Sequence, residues 1–280
     1  MTTFLRRALT AVIGLPLVIY LVHVGGWALL VVLAALAVIG LREFYIAFSK
    51  TDKPIHGIGY FFTGAYFVAI YIFGAGYWLL IALTLFIVTV QACLVVFYKH
   101  LPLKECVSTV YGFLYVPFLL SFIALVRQHE YGGHFFVWLI FTASFGCDTF
   151  AYLTGVTIGR RRLKNSPSPS KSVEGLVGGI IGAGLVGLIF GFAYGNFSDA
   201  FNPGISLHLI ALLAMGVSLV GAVFSIIGDM AASAVKRFCE IKDFGNVFPG
   251  HGGVLDRIDS VIIVAPIVYI AINILFRLVF

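Results

Sequence analysis

Charge is scarce in this 280-residue chain: Asp, Glu, Lys and Arg supply 11% of it, against 61% hydrophobic residues and a mean hydropathy of +1.06. A soluble domain carries about 25% charged residues, so a water-exposed globule is excluded. Alternating polar and apolar positions are also missing. The apolar runs are continuous, which excludes a transmembrane barrel. The four cysteines, Cys93, Cys106, Cys147 and Cys239, make no C-x-x-C pair, so there is no disulfide framework and no zinc signature. Cys147 and Cys239 lie beside polar segments assigned below to the cytoplasmic side, where thiols stay reduced. No nucleophile elbow, P-loop or H-E-x-x-H motif occurs, which argues against a serine hydrolase, a P-loop kinase and a zinc protease. No small-residue cleavage site follows Arg6 and Arg7, so the first apolar run is expected to be an uncleaved helix.

What is present is a series of apolar runs long enough to cross about 30 Å of hydrocarbon. The expected fold is all-α: a polytopic helical integral membrane protein of about nine spans with no soluble domain. The spans lie near 8–25, 27–46, 57–74, 77–97, 107–126, 135–156, 175–195, 206–228 and 260–278. About five of them form an N-terminal region, 1–130, and the rest a C-terminal catalytic region, 131–280, with polar loops 157–175 and 229–259. With the N-terminus in the cytoplasm, all of the 18 Lys and Arg residues except Arg127 and Arg277 fall on the cytoplasmic side, as the positive-inside bias requires. The net charge of +6 is therefore assigned to anionic membrane headgroups on one face. No aromatic-interleaved basic strand or finger motif points to nucleic acid.

Small residues recur every fourth position along the seventh span, at Gly175, Gly179, Ala183, Gly187, Gly191 and Gly195. Such a ridge lets another helix backbone approach closely, and tight packing is the expected role. The two loops, separated by two spans, share one side of the membrane. If the eighth span continues as helix, Asp229, Ser233, Lys236 and Arg237 face one way. An acid at the membrane edge with two cations further along suits a phosphate with a metal ion; an interfacial helix end that binds lipid headgroups is the alternative. Pro249 and the glycines Gly250, Gly252 and Gly253 around His251 break the helix and could cradle an anion. A helix then starts with Asp256 and Asp259 one turn apart and Arg257 between them. Its N-terminus favours phosphate, and Asp256 beside it suits magnesium held jointly with that phosphate. The alternative is an ordinary turn with acids that stabilise the helix end. Asp148, Tyr152, Gly155 and Gly159 are placed on one face of the sixth span, and a buried acid there is a functional candidate. Lys171 and Ser172 follow in the loop, with Glu174 as the expected ion-pair partner of Lys171. Metal-assisted phosphoryl or nucleotidyl transfer onto a lipid is the chemistry these groups fit.

The run from Ser233 through Lys236, Arg237, Lys242, Asp243, Gly245, Pro249, His251, Gly252, Gly253, Asp256, Arg257 and Asp259 resembles the signature of the phosphatidate cytidylyltransferases. Asp148, Ala151, Tyr152, Gly155, Gly159, Ser168, Pro169, Lys171, Ser172, Glu174 and Gly175 fit the same pattern upstream; Ser170 departs from it, standing where the family often has lysine. The resemblance covers 148–260. It implies synthesis of CDP-diacylglycerol and pyrophosphate from CTP and phosphatidic acid, in the inner or plasma membrane among membrane lipids, by a homodimer. It implies a Mg2+ ion paired with K+ at Asp229 and Asp256. It assigns catalytic work to Asp229, Asp256, Lys236, Arg237, Arg257 and Asp259. Substrate binding falls to Asp148, Lys171, Ser172, Glu174, Ser233, His251, Gly252 and Gly253. A CTP-using lipid kinase would release CDP instead. The D-G-x-x-A-R motif of CDP-alcohol phosphotransferases is absent. A transporter is disfavoured because no internal repeat is seen.

Overall fold

A computed structural model describes residue 14 and residues 16–49, 52–130, 132–195, 206–247 and 252–279, with the side chains of 276–279 left aside. Residue 14 and residues 16–24 are helical and Gly25 ends that helix; residues 8–13 and 15 of the expected first span, and Pro249, Gly250 and His251, lie outside the described residues. The helices that follow are α1 (Gly26–Phe48), α2 (His56–Phe73), α3 (Tyr77–Val96), α4 (Leu103–Phe113), α5 (Leu119–Arg127), α6 (Gly133–Thr157), α7 (Val173–Gly195), α8 (Leu207–Phe238) and α9 (Leu255–Val279). A π-helical turn, Leu114–Phe118, joins α4 to α5, so that Leu103–Arg127 makes one span. It contains Pro117, which has no N–H to give to a regular helical bond, and an inserted wide turn accommodates that loss. Eight helical stretches among the described residues are long and apolar enough to cross a membrane, and they correspond to the second to ninth expected spans.

The chain divides into two compact units. Met1–Leu125 and Lys236–Ile258 form the first; Val126–Val235 and Asp259–Phe280 form the second. Most of the signature run, from Lys236 to Ile258, thus packs with the N-terminal spans, outside the C-terminal region in which the sequence alone places it.

In the first unit the core is aromatic. Phe44, Tyr45, Tyr66, Phe86 and Phe113 are fully buried, with Phe86 and Phe113 4.2 Å apart between ring centroids. The Tyr45 hydroxyl donates to the Thr109 carbonyl at 2.9 Å, which satisfies the one polar atom that this ring carries inward. Helix α8 enters this unit at its last turn. It ends in a Schellman turn: Ile241 N–H donates to the Lys236 carbonyl and Glu240 N–H to that of Arg237. Glu240 takes the left-handed position, φ 53°, that glycine usually fills.

In the second unit the small-residue ridge packs as expected, and all six of its residues are buried. A Cβ on Gly179 would lie 2.8 Å from the Cys147 carbonyl oxygen, and one on Gly191 2.6 Å from Ala211 Cα. The ridge therefore seats α7 against α6 at one end and α8 at the other, backbone to backbone. A Cβ on Gly228 would lie 2.7 Å from the Asp259 carbonyl oxygen, so α8 is equally close to the start of α9. Helix α8 does continue past 228, to Phe238. Its 32 residues span about 48 Å, well beyond the hydrocarbon thickness, which leaves a polar turn to project.

Candidate active site

Among the described residues, the acids and lysines that the sequence singled out gather in two groups, one in each unit; the first unit also carries the separate pair Lys104–Asp52. In the second unit, Asp229 on α8 pairs with Lys171, the two side chains 26% and 25% exposed. Asp148 on α6 feels the charges of both. Lys171 is held by its loop. A short antiparallel bridge joins Arg162 to Ser172, with Leu163 N–H donating to the Lys171 carbonyl and Val173 N–H to that of Arg161. Ser172 then caps α7: its Oγ accepts the Gly175 N–H at 3.2 Å, and its carbonyl accepts that of Leu176. Gly155 and Gly159 leave room for that hydroxyl, since a Cβ on Gly159 would sit 2.6 Å from it.

In the first unit the group is closed. Asp256, in the first turn of α9, has a side chain only 4% exposed. Its Oδ1 accepts from Lys236 Nζ at 2.9 Å, and its Oδ2 from the N–H groups of Phe244 at 2.8 Å and Gly253 at 2.9 Å. Lys236 also lies over the Phe244 ring, 5.5 Å from its centroid. Gly252 has φ 83°, and a Cβ there would meet Asp256 Oδ2 at 2.9 Å, so glycine is needed both for conformation and for space. The last partner is Glu43 of α1, 3% exposed. Its carboxylate accepts the N–H of Val254 at 3.0 Å and that of Leu255 at 2.9 Å.

These contacts correct three sequence expectations. The N–H groups of Gly253, Val254 and Leu255 meet protein carboxylates, so the start of α9 does not present them to a substrate phosphate. Lys171 pairs with Asp229 and not with Glu174, whose carboxylate accepts the backbone N–H groups of Arg160 and Arg161. Ser172 is buried, and its hydroxyl serves the cap rather than an open pocket. Gly159 lies beyond the end of α6, so the face of Asp148 and Tyr152 stops at Gly155. Of the remaining expected residues, Ser233 stands one turn beyond Asp229 on α8, and Arg237 and Arg257 are exposed. Asp259 follows Asp256 in α9, with its Oδ1 accepting the Ser260 N–H at 2.8 Å.

Among the described residues no three His, Cys, Asp or Glu side chains converge as a ready ligand set. Magnesium, however, is commonly held by one or two carboxylates plus substrate phosphates. Asp229, paired with Lys171, and Asp148, near enough to feel both charges, offer hard oxygen donors with a surplus of negative charge, and this fits such an ion. Asp256 fits less readily, because both of its oxygens already accept.

The Cytidylyltransferase family matches residues 5–275 of the chain. A phosphatidate cytidylyltransferase of Thermotoga maritima is 37% identical over 163 residues, 58% of this chain and 57% of that protein. One of Bacillus subtilis is 33% identical over 156 residues, 56% and 54% of the two chains. One of Staphylococcus haemolyticus is 30% identical over 271 residues, 94% and 97% of the two. The matched stretch thus spans just over half the length of the first two relatives and nearly all of the third.

Proposed function

The chain belongs to the cytidylyltransferase family, and from that premise we propose that it is a multi-pass membrane enzyme that converts CTP and phosphatidic acid to CDP-diacylglycerol and pyrophosphate. The observation that carries this reading is the Lys236–Asp256 pair, held by the glycine-rich signature loop at the projecting end of α8. A lipid phosphate lies at headgroup depth and CTP arrives from water, so the polar residues must stand where a span meets the surface. The site and the N-terminus face the cytoplasm, in keeping with the basic residues gathered on one side of the alternating spans. The enzyme works as a homodimer surrounded by membrane lipids, as the resemblance implies.

In the reaction an oxygen of the lipid phosphate attacks the α-phosphorus of CTP. A new P–O bond forms, the bond to the β-phosphate oxygen breaks, and pyrophosphate leaves with that electron pair. Such transfers leave little covalent work for a protein; positioning and charge dominate. Lys236, Arg237, Arg257 and Lys171 would hold the phosphates, and Ser233 would add a hydroxyl donor one turn from Asp229. Gly252 and Gly253 would shape the wall of the loop, and His251 is assigned to the substrate by the resemblance. The resemblance assigns Mg2+, with a K+ companion, to Asp229 and Asp256; of the two, Asp229, with Asp148 near enough to feel its charge, is the acid open to such an ion, which when bound would neutralise charge on the phosphates.

The test is direct. Protein purified in detergent, given phosphatidic acid, CTP and Mg2+, should release pyrophosphate and form CDP-diacylglycerol, identified by mass, and chelation should abolish both. Release of CDP with a newly phosphorylated lipid would replace this reading with a lipid kinase. Absence of nucleotide turnover with any lipid phosphate would overturn it.

A further inference from the structure

The signature loop is held from a residue outside the signature. Glu43 lies in the body of α1, more than two hundred positions before the loop, and it is buried. It supplies a carboxylate to two N–H groups at the start of α9, which no earlier residue of that helix could satisfy. The fit is close on two further sides. A Cβ on Gly253 would lie 2.5 Å from both Glu43 oxygens, and a Cβ on Gly245 would collide with Glu43 Oε1. Backbone from both ends of the loop, at Gly245 and at Gly253 to Leu255, is therefore moulded on one carboxylate.

The same two ends carry the donors to Asp256, at Phe244 and Gly253. We propose that Glu43 is a positioning residue for the nucleotidyl transfer: it fixes the loop so that Asp256 and Lys236 are held in register. This inference rests on the function proposed above. Glu43 touches no substrate; it acts through the loop backbone. Charge and shape are both needed. A glutamine in its place would turn an NH2 group towards one of two N–H donors, and only one of the two bonds could survive.

The test uses the full chain in detergent and compares wild type with Glu43→Gln by two readouts. Hydrogen exchange at residues 253–256 should speed up by about tenfold, the scale of one lost charge-assisted bond. The kcat should fall by about tenfold or more with KM for CTP little changed, because misplacement of a reacting group by a fraction of an ångström acts on the transition state. Gly245→Ala, which pushes on the same carboxylate from the other end of the loop, should give the same pattern and covers the case of a Glu43→Gln protein that does not fold. Unchanged exchange would overturn the proposal. So would faster exchange with wild-type kcat, which would leave Glu43 as a cap of structural value only. If wild type itself releases no pyrophosphate, the functional reading fails, while the exchange arm still reports whether Glu43 holds the loop.

Discussion

Asp256 and Asp229 are both acids beside a lysine, yet their surroundings are opposite. Asp256 is 4% exposed and accepts from three donors, two of them backbone. Asp229 is 26% exposed, and its partner Lys171 stands on a loop. The first is a fixed point, whose place is dictated by the loop and by Glu43. The second is open, with a second acid, Asp148, near enough to feel its charge. On the proposed function, the first group would supply a frame that does not reorganise, and the second an acid whose lysine a cation could displace.

The sharpest way to break this contrast is Asp256→Asn. Turnover should fall about 10²–10³-fold, the scale of one lost preorganised charge at a phosphate-transfer site. The amide cannot accept from all three donors, so the melting temperature should also drop, though the protein should remain folded. Near wild-type pyrophosphate release from this variant would sink both the metal assignment and the idea of a fixed frame.

A smaller effect, but one with opposite signs, should come from the open group. Asp229→Asn removes a negative charge, and the Mg2+ concentration for half-maximal rate should rise, by roughly tenfold for a charge partly open to solvent. Lys171→Met removes the competing ammonium, and that concentration should fall by a similar factor even though turnover drops. Two shifts in the same direction in a magnesium titration would show that Lys171 does not stand in for the cation.

Much of this arrangement was legible in the sequence. Span positions, the extension of α8 beyond 228 and the packing role of the ridge from Gly175 to Gly195 all follow from local periodicity, which a linear pattern carries well. Ser172 takes a structural part that its sequence position does not reveal. A serine three residues before Gly175 is equally a cap and a ligand by type, and only the enclosure by Gly155 and Gly159 decides between them. Glu43 escaped altogether, because its partners lie across the length of the chain. The signal was still there: an ionisable residue within an apolar span is a functional candidate. That rule had singled out Asp148, and it applied equally to Glu43.

The mildest test concerns the frame of the open group. Cys147, next to Asp148 on α6, is where Gly179 of α7 comes closest, with room for a Cβ lacking against the Cys147 carbonyl at 2.8 Å and Ala151 Cβ at 2.9 Å. Gly179→Ala should therefore lower stability by about 1–3 kcal/mol, as overpacking does, and shift α6 enough to reduce turnover a few-fold. Gly216 of α8 has nothing within 4 Å of a Cβ. Gly216→Ala should be neutral, or stabilising by up to about 1 kcal/mol, since alanine is the better helix former. Thermal melts of the pair separate a helix-propensity effect from a packing effect. Hydrogen exchange at 253–256 should be the same in both, because the N–H groups there are held by Glu43 and Asp256; a change there in Gly179→Ala would mean that these bonds also depend on the ridge.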